Sequence, residues 1–189
     1  AQKAGGKNMA LLTADQEFAQ NLALTARDVA KQRNLPIVFD QVYPPSTVEF
    51  ASIIRALNAA KPDIVYIASC PPDSAGILRA VNEIGVSDSV KISGGGMVGL
   101  QFAAVMSNLG SLLNGVVNYD FWAPEPAFLA IPGIKEFLKE YQARAEKAGV
   151  DPLGYYLPPY SYATGQVLAQ AIEATKGLNS YYLISDGSP

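Results

Sequence analysis

The sequence has no histidine and a single cysteine, Cys70. The first absence excludes Ser-His and Cys-His nucleophile pairs and every histidine-containing zinc site. The second excludes an internal disulfide and any cysteine cluster, and it leaves the redox compartment undecided. Charge is also scarce: 16% of residues are Asp, Glu, Lys or Arg, the net charge is −3, and there is no basic run. Nucleic acid is therefore not an expected partner, because neutralising phosphates needs clustered Lys and Arg. No apolar run approaches the ~18 residues that a membrane span requires. The opening AQKAGGKN lacks the apolar region of a secretory leader. It reads as the end of a helix followed by a Gly-Gly stop, as though the chain starts inside a larger protein.

What is present is a core. Hydrophobic residues make up 49% of 189, enough for one ordinary domain or a domain plus a piece of another. The pattern alternates between short apolar runs and helical stripes. MALLT (9–13) reads as a strand, with Asp15 as a candidate cap for a helix bearing Phe18, Leu22, Ala26 and Val29. Strand two is 36–39, followed by the rigid turn YPPST and a helix that Thr47 would cap. Strand three is 64–68, and Ser74 would cap the helix after it, which Gly85 closes. Strand four is 90–93, followed by a glycine loop and a short helix over about 100–109. Strand five is 115–119. This spacing predicts a parallel, right-handed, doubly wound α/β sheet, Rossmann-like and five-stranded in flavodoxin-like order, over residues 1–122. Residues 123–177 carry two further helices with no strand of the earlier kind after them, and 178–189 form an atypical tail that could add one strand.

The glycine loop has three readings, the plainest of them a tight turn with no ligand. Gly94, Gly95, Gly96, Met97, Val98 and Gly99 spell G-x-G-x-x-G, and Asp120 follows near the distance of the acid in dinucleotide-binding folds. A nucleotide-dependent oxidoreductase is the corresponding function. Against it, the fingerprint normally opens its sheet, whereas three βα units precede this one. The third reading is a loop whose backbone N–H groups face a ligand at close range. In open α/β sheets ligands bind beyond the carboxyl ends of the strands. Here those ends are small, hydroxylic, proline-rich and aromatic, which suits a small-molecule pocket better than a charged catalytic centre. Cys70 has no base or cation near it in sequence and is expected as a small strand-end residue. Asp15 and Glu17 are expected as helix-start acids. Tyr119, Phe121 and Trp122 stand at the crossing into the proline-rich segment. No metal or cofactor is expected.

The ordered set MALLTADQEF, YPPSTVEF, KPDIVYIASCPPDSAG, GGGMVG, GVVNYDFW, IKEFLKEYQARAEKAGVDPLGYY and YSYATGQVLAQAIEATKG resembles the second lobe of type I periplasmic solute-binding proteins, the Leu/Ile/Val receptor group of ABC importers. The resemblance covers roughly residues 7–177. It implies one lobe of a two-lobed receptor that closes over a small organic solute, delivers it to a permease, and works in the periplasm. It implies helices that return to a first lobe, and no enzymatic activity. In the amino acid-binding members this lobe offers an aromatic after strand one, a residue after strand three and an acid after strand four. Those places fall on Phe18, on Cys70 or Pro71, and on Gly96. The expected solute contacts are Phe18, Cys70, Pro71, Gly95, Gly96, Met97 and Tyr119, with Trp122 near the hinge. The absence of that acid at Gly96 counts against an amino acid, and the uncharged loop suits an aromatic or aliphatic acid, or another small organic solute, better than an amino acid-like one. A sensory receptor module is a further alternative, and a domain-swapped homodimer of the piece is the further partner expected.

Overall fold

The computed structural model describes residues 5–71, 73–120 and 122–175. The element order is β1 (Met9–Ala14), α1 (Glu17–Gln32), β2 (Ile37–Tyr43), α2 (Ala51–Ala59), β3 (Ile64–Ser69), α3 (Asp73–Ile84), β4 (Ile92–Met97), α4 (Ala103–Leu109) with a 3₁₀ turn Gly110–Leu113, β5 (Val116–Asn118), α5 (Pro126–Leu129), α6 (Ile134–Ala148) and α7 (Pro158–Thr175). The chain divides into two compact units between Tyr119 and Asp120.

The first unit is one sheet, all parallel, in the order β2-β1-β3-β4-β5. The expected fold class and strand order are what the structure shows. Every residue of β1 is buried, as a central parallel strand requires. Right-handed crossovers move leftward once, from β1 to β2, and rightward three times, so α1 lies on one face and α2, α3 and α4 on the other. The packing agrees. Ala10, Leu12, Val65, Ile67 and Met97 form the main core with Ile54 and Leu57 of α2 and Ile77 and Leu78 of α3. On the opposite face Met9, Leu11 and Ile64 pack with Ala30 of α1. Leu11, Leu12, Ile67 and Ile77 are wholly enclosed, and burying each contributes about 1.5–3 kcal/mol. A bidentate pair from Arg27 to Asp40, at 2.7 and 2.8 Å, ties α1 to the edge strand β2.

Several expected boundaries move, each for a local reason. Asp15 does not cap α1: the capping position is Gln16, and the Asp15 carboxylate accepts a bond from Gln20 Nε2 at 3.2 Å. Thr47 does not cap α2: Glu49 accepts from the Ala51 amide at 2.6 Å and from Ser52 Oγ at 3.0 Å. Ser74 lies inside α3 and donates to the Val98 carbonyl at 2.7 Å instead of capping.

The largest correction concerns strand four. It is Ile92–Met97, so Gly94, Gly95 and Gly96 are the strand itself and not a loop after it. Gly94 stands between Tyr66 and Val117, and Gly95 between Ile67 and Asn118. Both adopt φ near +146°, open only to glycine. A Cβ at Gly94 would run into the Val117 carbonyl, and one at Gly95 would lie 2.5 Å from the Ile67 carbonyl oxygen. A Cβ at Gly96 would occupy the place of Leu22, which descends from α1. The three glycines let β4 sit between β3 and β5 and beneath α1. A phosphate cradle needs its glycines in the turn between strand and helix, so the dinucleotide reading has no loop to stand on.

The second unit is helical in its described residues. Trp122, Ile134 and Leu138 form its small core, with Leu129, Phe137 and Tyr155 against it. Phe137 stacks on Tyr162 at 4.5 Å between ring centres, joining α6 to α7. The expectations placed on 176–189, a closing Gly177 and a tail strand, lie outside the described residues.

Gly94→Ala is expected to cost roughly 3 kcal/mol or more, through strain plus overpacking. Gly115→Ala, with φ +82° but nothing within 4 Å, should cost about 1 kcal/mol. Urea midpoints of the two variants check the difference.

Candidate functional site

The carboxyl ends of the five strands gather on one edge of the first unit. Each end is fixed by buried polar groups. β3 ends in Ser69, which is wholly buried, and its Oγ lies 2.8 Å from Ser74 Oγ. Ser74 Oγ donates a hydrogen bond to the Val98 carbonyl at 2.7 Å, and the Val98 amide donates to the Ser69 carbonyl at 3.0 Å. The start of α3 and the turn after β4 are thereby joined to the end of β3. The Met97 amide donates to Asn118 Oδ1 and the Met97 carbonyl accepts from Asn118 Nδ2, both at 2.9 Å. This side-chain pair continues the β4–β5 ladder one step beyond the backbone. Gln101 closes the set: its Oε1 accepts from the Gly99 amide at 3.1 Å and its Nε2 donates to the Tyr119 carbonyl at 2.9 Å.

A second cluster lies at the ends of β2 and β3. Tyr43 is 1% exposed and donates from its hydroxyl to Asp73 Oδ2 at 3.3 Å. Its ring meets Phe50 edge-on at 5.2 Å. Burial, with Asp73 adding to it, pushes the Tyr43 hydroxyl well above the ordinary tyrosine range. Burial also raises the Asp73 carboxyl above the ordinary carboxylate range, against the opposing bond from Tyr43. The Cys70 thiol is raised by burial and by Asp73, which makes it a poor nucleophile at neutral pH.

The expected contact residues separate into three sets. Phe18, Pro71, Cys70 and Tyr119 lie at the strand ends and keep surface: Phe18 is 44% exposed, Pro71 is exposed, and Cys70 and Tyr119 are half-buried. Gly95, Gly96 and Met97 lie inside β4. Met97 is 0% exposed with its side chain in the main core, and Gly96 is shut beneath Leu22, so neither offers a side-chain surface to a solute. Trp122 belongs to the second unit, where it is 8% exposed and packs near Phe128 and Tyr155 at 6.4 and 5.6 Å. It borders a 430 Å³ groove against α7, and its indole N–H has no hydrogen-bond partner among the described residues.

Sequence reasoning missed Tyr43, Asp73, Gln101 and Asn118, and read Ser74 only as a cap. The available signal was CPPDS: a serine and an acid at the start of an apolar helix read equally well as caps. The edge carries Asp15, Glu17 and Asp73 and no Lys or Arg in its strand-end segments. Among the described residues no three acidic, cysteine or histidine side chains gather as a metal site, and no helix is long and apolar enough to cross a membrane.

The sequence profile of the periplasmic binding protein family matches residues 1–184. The chain belongs to that family. It is 29% identical over 172 residues to a Leu/Ile/Val-binding protein homolog 8 of Brucella abortus (strain 2308), covering 90% of this chain and 41% of the relative. A Leu/Ile/Val-binding protein homolog 7 of Brucella suis biovar 1 is 28% identical over 175 residues, covering 91% and 42%. The chain thus spans about two fifths of the length of the curated relatives it matches. Its fold matches that of a leucine-binding protein from Thermotoga maritima, with TM-score 0.74 and 19% identity over 96% of this chain and 49% of that one. It also matches a periplasmic binding protein from Burkholderia mallei, with TM-score 0.74 and 22% identity over 96% and 45%. The resemblance drawn from the strand and loop sequences is therefore upheld, and this periplasmic binding protein chain is partial relative to its relatives.

Asp73→Asn is expected to stabilise the protein at neutral pH. Burial raises the native carboxyl, so the native state binds a proton that the unfolded chain has already released. The charged group then costs stability increasingly as pH rises from the unfolded value of about 3.9 through the native one. The variant's advantage should be absent below pH ~4, grow through the carboxylate range and level off above it. Urea midpoints against pH check this; an advantage that grows on acidification would contradict it.

Proposed function

We propose that this chain supplies one half of the solute cleft of a periplasmic receptor for an ABC importer, and that the solute is amino acid-like. The observation that carries the reading is the carboxyl edge of the first unit. Five strand ends converge there, Phe18, Cys70, Pro71 and Tyr119 keep surface, and buried hydrogen bonds hold the turns beneath them. A cleft wall of this kind binds by shape, with apolar rings and a few fixed polar groups. The family and the Leu/Ile/Val-binding names of its relatives agree with it.

The solute class follows from the charges. The exposed Asp15 and Glu17 are unopposed by any basic residue in the strand-end segments, so this half suits a solute's ammonium group and repels its carboxylate. The carboxylate would be received by the other half of the receptor. Binding is a population shift: the solute favours the closed arrangement because only there do both halves touch it. No reaction is part of this function. Gly95, Gly96 and Met97 act indirectly, by fixing the end of β4, and Phe18, Cys70, Pro71 and Tyr119 make the contacts.

Calorimetry tests the reading. A longer polypeptide carrying both halves is expected to bind leucine, isoleucine or valine with a Kd of about 10 μM or tighter, and the 189-residue chain no tighter than about 1 mM. Micromolar binding by the short chain would refute the half-cleft. Binding of benzoate or butyrate in preference to the three amino acids would refute the solute class.

A further inference from the structure

Asn114 is the one asparagine of the chain that precedes a glycine. The pair Asn114–Gly115 links the 3₁₀ turn Gly110–Leu113 to β5, and both residues are exposed. A Cβ at Gly115 would meet nothing within 4 Å, and its φ of +82° is the left-handed state that glycine enters freely. Neither the Gly115 amide nor the Asn114 side chain has a hydrogen-bond partner among the described residues. Other asparagines differ on both counts. Asn118 is held by Met97 through both side-chain polar atoms and precedes Tyr119. Asn58 holds the Gly85 carbonyl and the Ser87 amide and precedes Ala59. Asn8 accepts from the Asp63 amide and precedes Met9.

We propose that Asn114 is a site of spontaneous deamidation and that its isoaspartyl product loosens β5. The Gly115 backbone nitrogen gives up its proton to hydroxide and attacks Cγ of Asn114. The new N–Cγ bond closes a succinimide ring, and the side-chain nitrogen leaves as ammonia. Water, the sole co-reactant, then adds to one of the two ring carbonyls. Breaking the bond from nitrogen to Cγ gives aspartate. Breaking the bond from nitrogen to the backbone carbonyl carbon gives isoaspartate, in which the main chain runs through Cβ and Cγ. A side chain on residue 115 would crowd the attacking nitrogen, and glycine has none. Asn114 is extended, at φ −63° and ψ 128°, so the ring closes when the turn rotates, and its exposure and unbonded side chain leave it free to do so. Isoaspartate lengthens the main chain by one carbon, about 1.5 Å, just ahead of β5. That strand has three residues and pairs with β4 alone, so little holds its register. Asn118 and Tyr119, bonded to Met97 and Gln101, lie directly downstream. Aspartate adds the same negative charge without lengthening the chain.

Ageing the 189-residue chain at mildly alkaline pH, followed by peptide mapping, tests the site without any substitution. The peptide holding Asn114 is expected to convert about 10-fold faster, or more, than those holding Asn8, Asn58 and Asn118, with isoaspartate among its products. Mapping by peptide separates this change from Asp186–Gly187, which forms the same ring. Gly115→Ala should slow the conversion about 10-fold. The aged fraction, enriched by anion exchange and mapped to residue 114, is then compared with Asn114→Asp, which has the same charge and an ordinary backbone. Its Tm is expected to be lower by about 2 °C or more. Conversion of Asn114 no faster than that of the other three asparagines, or an unchanged rate in Gly115→Ala, would overturn the modification site. Equal Tm values for the aged fraction and Asn114→Asp would overturn the loosening of β5.

Discussion

The close approach of β4 to its neighbours is the constraint on which the rest of the first unit depends. At Gly94 the strand lies against the Val117 carbonyl, and at Gly95 against that of Ile67, with no room for a side chain at either. Only through that contact does β5 join the sheet, because its pairing with β4 runs over just three residues, Ser93, Gly94 and Gly95. The pairing in turn places Asn118 where it can bond Met97 twice, and Tyr119 where its carbonyl can receive Gln101. The edge proposed to meet a solute is therefore built on a stretch whose own side chains are absent or enclosed. The glycines work from below, as a spacing device.

Buried polar groups complete the edge. Strand ends are where backbone groups run out of partners. Here Ser69, Ser74, Asn118 and Gln101 supply them from side chains, so the turns after β3 and β4 are tied to one another and not only to their own strands. Asp73 is the exception in kind. It is an acid shut in at the edge, with a 3.3 Å bond from Tyr43 and no basic residue in the strand-end segments around it. Its burial without a cation is what raises its carboxyl above the ordinary range.

Much of the fold was legible because its signals are periodic. MALLT and IVYIAS are apolar throughout, and the stripe of Ile53, Ile54 and Leu57 fixes a helix between them, so the alternation, the parallel sheet and the strand order follow. Strand four was misread because glycine carries no periodicity. SGGGM has no apolar alternation, and three glycines read as a turn, whereas here their lack of side chains is a packing requirement of the sheet. The placement of the candidate site was legible in outline: Phe18, Cys70, Pro71 and Tyr119 stand at strand ends, and their contact with a solute is the proposal. Its internal supports were not, because a serine or acid at a helix start serves as a cap or as a tertiary partner with the same residue letters. Ser74 took the second course because the Val98 carbonyl lies 2.7 Å away across the strand gap. Trp122, expected near the hinge, has its ring in the small core of the helical unit, a packing that its place in the chain does not signal.

The central claim is that the carboxyl edge of the first unit is the solute surface. Amide chemical-shift mapping tests it most directly, with the longer polypeptide titrated against the amino acid it binds best in calorimetry. The account predicts that, within residues 5–119, the largest shifts fall on Phe18, Cys70, residues 98–101 and Tyr119. Shifts centred on the groove that Ala26, Val29 and Tyr66 line beside α1, with the strand ends unmoved, would contradict it.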